Sequence, residues 1–566
     1  MIKEYNFDEF DKASKKEWTD KLIQDLGADT VQRISSWKCE RELSLSAYYN
    51  EEDAKDKLHI PLKKSLDWKY LQPIGINATN EKVLDALMNG ADGLTLESSQ
   101  VNDLERLLNK VSPEYCTLAL KTSGLEDYLK FVTWWKSKHP AEGEGEVLLF
   151  QSLGEVDATI SQNHLTLLEG LLSASTHGHR VINVDCGLVQ RNGGGVATEL
   201  SFLLSQCVFY INHLMDKGYS LDKIVSNIFV STDIGSSYFL ELTKVRVMKM
   251  LLAQLLKQYG VEDLSIPVHG STSPITKSSL DSNTNFLRCT SEAMSAVLGG
   301  ADYLTIDPSH SLASSDRIAR NISNLMKDES YLSKTMDPAA GSYYMEDMSK
   351  KLAEESWEKF QNIESNGGFN SAVKEEVFQS EIAKDVEFQK NRIASGRRKM
   401  VGVNDFGNAD EKISSDELLV TSESLSVEFE AVRKRVEEFV SESGEENRPT
   451  VCLVATGAKA KMINARYTFV TNFFNWAGFR VTKMDSLEEM PDYHIVVCCG
   501  ADEDYSQQEI QKINGIDKSK LVWAAGKSTD ATSSMISGWV NAKSNRLQTV
   551  IDVLNQIGVT QNSSLS

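Results

Sequence analysis

The chain has 566 residues, 41% of them hydrophobic and 25% charged, with a formal net charge of −21. A chain of this length buries a large core without covalent staples, and its acidic balance argues against nucleic acid or an anionic membrane as partner, because both need clustered cations. No run of about 18 apolar residues signals a membrane span, eight scattered cysteines without a CxxC pair signal neither zinc nor a disulfide framework, and reduced thiols with no apolar signal core at the start fit a cytoplasmic protein.

Residues 1–60 read as an arm. Trp18, Leu22 and Ile23 fall on one stripe of a short helix, and Trp37, Leu43, Leu45 and Tyr48 predict extended, half-buried segments. Such an arm cannot build its own core, so it must pack on the main body or on another chain. Over 61–404 short apolar strands alternate with helices. Strands are expected at Gly93–Leu96, Thr117–Leu120, Val147–Phe150, Val181–Val184, Asn227–Val230 and Tyr303–Ile306, with helices at Glu199–Asp216 and Leu240–Tyr259. Alternation of this kind builds a parallel sheet. Ala86 to Leu96 and Ala296 to Ile306 share one pattern of helix end, glycine stop, Ala-Asp and buried strand. Reuse of one αβ device favours a (β/α)8 barrel.

Residues 405–449 are charged and predict a linker. Its middle, Val427 to Val440, reads as an exposed helix and Ser441 to Pro449 as a flexible joint. Residues 450–566 form a second α/β segment. Its strands are expected at Thr450–Ala455, Arg480–Lys483, His494–Cys499 and Lys520–Ala525, and its helices at Ala460–Ala477, Ser506–Ile513 and Asn545–Ile557. This spacing predicts a flavodoxin-like doubly wound sheet. The fold class is therefore α/β, a TIM barrel followed by a doubly wound domain.

Several segments resemble the methylmalonyl-CoA mutase family. Asp337-Pro338-Ala339-Ala340-Gly341-Ser342-Tyr343-Tyr344-Met345-Glu346 is similar to the family's DPxGGSYYxE, and Ile363 to Gly368 to its IEExGG. Asn285 to Gly300 resembles NxxRTTxxAMxAVxGG, and Phe239 to Arg246 resembles FFMEIAKLR. Arg317 to Asn321 and Gly402 to Asn404 match as well. The resemblance runs in order along essentially the whole chain. It implies a barrel that holds a CoA thioester along its axis and a doubly wound domain that presents adenosylcobalamin. The implied chemistry is radical interconversion of methylmalonyl-CoA and succinyl-CoA, with the cofactor supplying the radical.

The groups that carry this chemistry are missing. Catalytic members ligate cobalt with the His of a DxHxxG loop after the first strand of the doubly wound domain. Here that strand runs out into Thr456-Gly457-Ala458-Lys459. His494, in Asp492-Tyr493-His494, superficially resembles Asp-x-His, but Val497 stands where glycine is required, and the segment enters a later strand. The family's SxL and GG elements are replaced by Cys498-Cys499-Gly500 and Ala524-Ala525-Gly526. In the barrel, Gln190 and Gly193 align with the family's MQEAGAT, while the preceding Tyr-His pair becomes Gly187-Leu188. Leucine cannot polarise a thioester carbonyl. His269 remains, but its TSGWSLT partner motif is altered to Gly270-Ser271-Thr272-Ser273-Pro274-Ile275-Thr276. Gly193-Gly194-Gly195 lacks the lysine and hydroxyl of a Walker loop.

The resemblance with these losses implies a small, non-catalytic subunit. It would assign no catalytic, cofactor-binding or metal residue to this chain. Adenosylcobalamin would sit in a homologous large catalytic subunit of a heterodimer, and acyl-CoA would be met only through that complex. Two other readings stand beside it: a self-sufficient acyl-CoA mutase, and a protein that binds CoA esters without reacting them. The arm at 1–60 would wrap the partner, 61–404 would be the barrel, 405–449 the linker, and 450–566 a degenerate cobalamin-binding-like domain.

Overall fold

The computed structural model describes residues 13–53, 58–61, 63, 65–122, 124–138, 145–151, 154–262, 264–309, 314–411, 424–484, 493–505, 521–527 and 536–559. The expected helix Ser506–Ile513 lies outside the described residues. The chain divides into two units: Met1–Thr272, Thr290–Asp307 and Asp316–Asp385 form the first, and Ser273–Cys289, Pro308–Ser315 and Val386–Ser566 the second. No helix of the described residues is long and apolar enough to cross a membrane.

The first unit begins with the arm. Its helix Lys15–Leu26 starts at Ser14, whose hydroxyl accepts from the Glu17 N–H while the Glu17 carboxylate accepts from the Ser14 N–H, a reciprocal cap. β1 (Ser36–Lys38) and β2 (Ser44–Ser46) pair antiparallel, which buries Leu43 and Leu45. The segment after β1 is pinned to barrel helices. Arg41 bridges Asp385 at 2.8 Å and also Glu381, and the Tyr49 hydroxyl donates to Asp347 at 2.7 Å. The initial helix, by contrast, buries no residue.

The rest of the unit is a closed parallel barrel. Its strands are β3 (Lys69–Pro73), β4 (Gly93–Glu97), β5 (Thr117–Lys121), β6 (Glu146–Phe150), β7 (His179–Arg180), β8 (Ile182–Asp185), β9 (Ile228–Ile234), β10 (Val268–Thr272) and β11 (Tyr303–Thr305). β7 and β8 are halves of one stave interrupted at Val181. β7 pairs with β6 and β8 with β9, while β11 pairs with β3, so eight staves close the ring. All six strands expected here are present. β3 and β10 lack an apolar run and were not anticipated. The alternate residues of β10 that face inward are His269 and Ser271, polar because they line a cavity.

The repeated αβ pattern is a repeated hydrogen-bond device. Ala91 N–H donates to Ala86 and Ala301 N–H to Ala296, each at 3.0 Å, across Gly90 (φ 105°) and Gly300 (φ 101°). Asp92 then accepts from the Tyr70 N–H at 2.7 Å, and Asp302 from the Val268 N–H at 2.9 Å. Each carboxylate also takes a lysine, Lys327 and Lys249 respectively, both at 2.8 Å or less. One short loop thus ends a helix, starts a strand and ties it to its neighbour.

The barrel's middle is filled. Leu71, Ala119, Leu148, Phe229 and Tyr303 form one buried layer, with Phe150 packed against it. Below that layer Glu146 receives Tyr303, Lys69 and Thr117.

In the second unit β12 (Thr450–Ala455), β13 (Arg480–Met484), β14 (Ile495–Cys499), β15 (Leu521–Ala525) and β16 (Gly538–Val540) form a parallel sheet in the order β13-β12-β14-β15-β16. That is the flavodoxin-like order, with strand order reversing beside the first strand. The helix Val427–Ser443 corrects the sequence reading. It was expected to be exposed, yet it buries Phe429, Val432, Val436 and Val440 in the core of this unit. Its charged residues enter because they are paired: Glu437 accepts from Arg433 at 2.7 Å and from Arg448 at 3.0 Å. Arg448 also bridges Glu445 at 2.7 Å, so the expected flexible joint is an ordered ion-pair knot.

Candidate functional site

Two places can be compared with the chemistry the sequence suggests: the carboxyl edge of the doubly wound sheet and the mouth of the barrel. Ligands of doubly wound sheets bind beyond the carboxyl ends of the strands, at the reversal of strand order. Here that edge is formed by Thr456-Gly457 after β12, Gly500-Ala501-Asp502 after β14, and Gly526-Lys527 after β15. Tyr505 fills the gap between them. Its hydroxyl donates to the Ala525 carbonyl at 2.6 Å and accepts from the Gly500 N–H at 3.0 Å, and its ring meets Trp539 edge-on at 5.5 Å. Asp502 ties Arg466 at 3.0 Å and accepts from the Lys527 N–H at 3.2 Å. A Cβ at Gly500 would lie 2.2 Å from the Thr456 carbonyl, and one at Gly526 2.3 Å from Asp502. Among the described residues this edge is closed by the chain's own side chains.

His494, the only histidine after residue 450, sits at the opposite end. It precedes β14, and its Nδ1 accepts from the Thr450 N–H at 3.2 Å, at the start of β12. The described residues of the carboxyl edge do not fit a corrin: no imidazole stands among them to ligate cobalt, and Gly457, Gly500 and Gly526 face protein atoms. Replacing Tyr505 by Phe is expected to leave the Gly500 N–H and Ala525 carbonyl buried without partners, at a cost of about 1–3 kcal/mol. Amide exchange in β14 and β15 should then accelerate, while the barrel is unchanged.

The barrel mouth does hold an open site. A cavity of about 600 Å³ is lined by inward-facing residues of every stave. Arg191 stands at one wall, donating to Asp233 and Asp185, each at 2.6 Å. Burial pushes Asp233 up to about 6, against the pull of Arg191. Ser231 donates to Asn183 at 2.9 Å, and His269 Nε2 lies 2.8 Å from the Thr305 hydroxyl. The His269 ring packs edge-on against Phe150, and burial holds its pKa down at about 3, so it is neutral.

Behind this wall lies a buried charge cluster. Lys244 Nζ bridges Glu199 at 3.0 Å and Glu241 at 2.8 Å and donates to the Asp233 carbonyl at 2.5 Å. Burial opposes its charge, but the two carboxylates outweigh that and hold it protonated. The sequence motifs serve the same scaffold. Arg246 forks onto Asp337 and Glu346, both at 2.8 Å, joining two of the segments that carried the resemblance.

The positions aligned with the family's Tyr-His pair are not among the residues that line the cavity at the barrel mouth. Gly187 and Leu188 open the short helix Gly187–Arg191 just after β8. A Cβ at Gly187 would lie 2.9 Å from both the amide nitrogen and the carboxylate of Asp233. A tyrosine there could not fit without moving the Arg191–Asp233 pair. Leu188 is buried. The glycines that follow grip carboxylates of this chain instead of a phosphate. The Gly195 N–H donates to Asp385 and the Val196 N–H to Glu40, both at 2.9 Å, at the start of the helix Val196–Asp216.

The family model for methylmalonyl-CoA mutase matches residues 166–461. The chain belongs to the methylmalonyl-CoA mutase family. The match covers more than half of its length and includes the later staves of the barrel, from β7 to β11. Among relatives in this family, the methylmalonyl-CoA mutase small subunit of Porphyromonas gingivalis is 28% identical over 98% of this chain and 99% of its own. The methylmalonyl-CoA mutase small subunit of Streptomyces virginiae is 28% identical over 71% of this chain and 68% of its own. The protein named methylmalonyl-CoA mutase large subunit from the same organism is 28% identical, but over only 47% of this chain and 36% of its own. The mutase-family resemblance read from the motifs therefore holds.

Glu40, in the arm, is a buried carboxyl that the sequence did not single out and that ties the arm to the Val196 N–H. Burial of its carboxyl, with Asp385 beside it, pushes its pKa up to about 8. The docked arm therefore binds a proton that a detached arm releases. The contribution is fully present below the free carboxyl value near 4.5 and is lost as pH rises through 8. Amide exchange in residues 39–49, corrected for its intrinsic pH dependence, should quicken between pH 6 and pH 9. Glu40→Gln should flatten that rise.

Proposed function

We propose that this chain is the small, non-catalytic subunit of a heterodimeric, adenosylcobalamin-dependent methylmalonyl-CoA mutase. In this reading a homologous large subunit binds the cofactor and interconverts methylmalonyl-CoA and succinyl-CoA, and this chain stabilises and shapes the assembly. The observation that carries it is the closed carboxyl edge of the doubly wound sheet, where Tyr505 and Asp502 fill the space and no described histidine stands. The barrel supports the same reading. Its axis is blocked by Leu148, Phe229 and Tyr303, and the position aligned with the family's thioester-polarising histidine is Leu188. The similarity to named small subunits along nearly the whole chain supports it too.

The arm supports a partner. Trp18, Ile23, Leu26, Ile34, Trp37 and Tyr48 are all exposed large apolar residues. Trp18 stacks on Tyr48 at 4.5 Å, which makes part of this set one continuous patch. Apolar clusters of this kind mark protein interfaces, and a permanent partner should bury well over about 2,000 Å².

Co-expression with a tagged homologous chain carrying an intact Asp-x-His-x-x-Gly loop tests the proposal. A one-to-one complex is expected, with cobalamin absorbance and succinyl-CoA formation following the large chain. This chain alone, supplied with adenosylcobalamin, should retain no cobalamin after desalting and turn over nothing. Turnover by the isolated chain would overturn the reading in favour of a self-sufficient mutase.

A further inference from the structure

Three lysines stand close together at the amino-terminal end of the barrel staves: Lys63, Lys249 and Lys327. Two of them are matched. Lys327 and Lys249 hold Asp92 and Asp302, the carboxylates of the repeated αβ loops, at 2.7 and 2.8 Å. Lys63 has no such match. Its ammonium lies 5.9 Å from the centre of the Trp68 ring, which Lys327 also faces at 5.4 Å. Among the described residues no carboxylate or other acceptor takes its protons. The residue is nevertheless only 9% exposed. Lysine is almost never buried unless it is paired, because its lost hydration then goes uncompensated.

Lys63 lines a cavity of about 20 Å³, together with Lys249, Thr335, Asp337 and the Gly299-Gly300 turn. A water needs about 10–15 Å³ of such space. The cavity therefore admits one particle of roughly that size and no phosphate or carboxylate group. The surrounding charges set its sign. Asp337 is neutralised by Arg246 at 2.8 Å, and Asp302 by Lys249. Asp67, the other acid nearby, is turned to Lys327 at 3.7 Å. The surplus is the one charge of Lys63. Lys249 gives a single proton to Asp302 and keeps two more to donate. Burial draws the Lys63 pKa below the ordinary lysine value, Lys249 and Lys327 adding to this and Asp302 and Asp67 resisting it.

We infer that Lys63 and Lys249 together hold one halide-sized anion, chloride under physiological conditions. The ion supplies the counter-charge that Lys63 lacks. It fastens the chain just ahead of β3 to the turn just ahead of β11. This site stands apart from the subunit reading and survives its failure.

Thermal unfolding of the full chain, with potassium gluconate exchanged stepwise for chloride at constant ionic strength, tests it. The melting temperature should rise saturably, by about 1–3 °C at a tenfold excess over the dissociation constant. Lys63→Met should abolish that rise. In gluconate the same variant should melt no lower than the parent, because it removes a buried ammonium that has no partner. Lys257→Met, an exposed change on the helix Tyr238–Gln258, should keep the chloride response. Sulfate, too large for the cavity, should shift the parent and Lys63→Met alike. In bromide-soaked crystals of the parent, anomalous scattering should place an ion beside Lys63 Nζ. A parent indifferent to chloride, a response undiminished in Lys63→Met, or bromide found only elsewhere would each overturn the assignment. Bromide beside Lys63 without a chloride response in solution would mark an adventitious ion only and overturn it too.

Discussion

Lys244→Met is expected to cost the barrel about 3–5 kcal/mol, the usual penalty for breaking a buried ion pair from one side. Lys244, Glu199 and Glu241 are all buried, and the ammonium is the shared cation of both carboxylates. Removing it strands two acids and the Asp233 carbonyl away from water. Methionine matches the length of the lysine stem, so the loss is electrostatic and not a cavity effect. The expected readout is faster amide exchange across β8, β9 and the helix Tyr238–Gln258, with the doubly wound sheet as internal control. Adding Glu199→Gln and Glu241→Gln should recover much of the loss, because a neutral cluster no longer needs the cation. Failure of the triple variant to recover would mean that Lys244 contributes chiefly through packing.

Trp18→Asp/Ile23→Asp should weaken capture of a large mutase subunit by at least tenfold. Tryptophan is the residue most often found at interface hot spots, with truncation costs of about 2 kcal/mol or more, and 1.4 kcal/mol is a factor of ten. The helix Lys15–Leu26 fully buries none of its residues, and within this chain the change gives up chiefly the Trp18–Tyr48 stack, so the isolated protein's melting temperature should fall only slightly. Surface plasmon resonance against the immobilised partner checks the affinity, and calorimetry checks the fold. An unchanged affinity would move the interface off the arm.

The legible parts of the fold were those in which one physical rule acts alone. Gly93–Glu97, Ile228–Ile234 and Thr450–Ala455 are buried on both faces, so they read as apolar runs. β10 did not, because His269 and Ser271 point into a polar cavity, and β16 is only three residues long. The helix Val427–Ser443 misled through composition. Phe429, Val432, Val436 and Val440 keep a helical stripe, but Arg433, Arg435 and Glu437 suggested solvent. Burial of those charges depends on partners such as Arg448, which no local window contains. His494 mimicked a cobalt-ligand motif, and only its place at the start of β14 removes it from the carboxyl edge. The barrel-mouth site was hidden for a related reason. Arg191, Asp233 and His269 come from three separate parts of the chain, and each is unremarkable until closure of the barrel gathers them around one space.

The layer of Leu71, Leu148, Phe229 and Tyr303 turns the barrel into a stoppered well. A pantetheine tail needs an open shaft, and this barrel has a floor. An assembly pairing it with one catalytic homologue should therefore saturate at a single equivalent of acyl-CoA per two chains. A photoreactive analogue carried on the thiol arm of the coenzyme should label the larger polypeptide only.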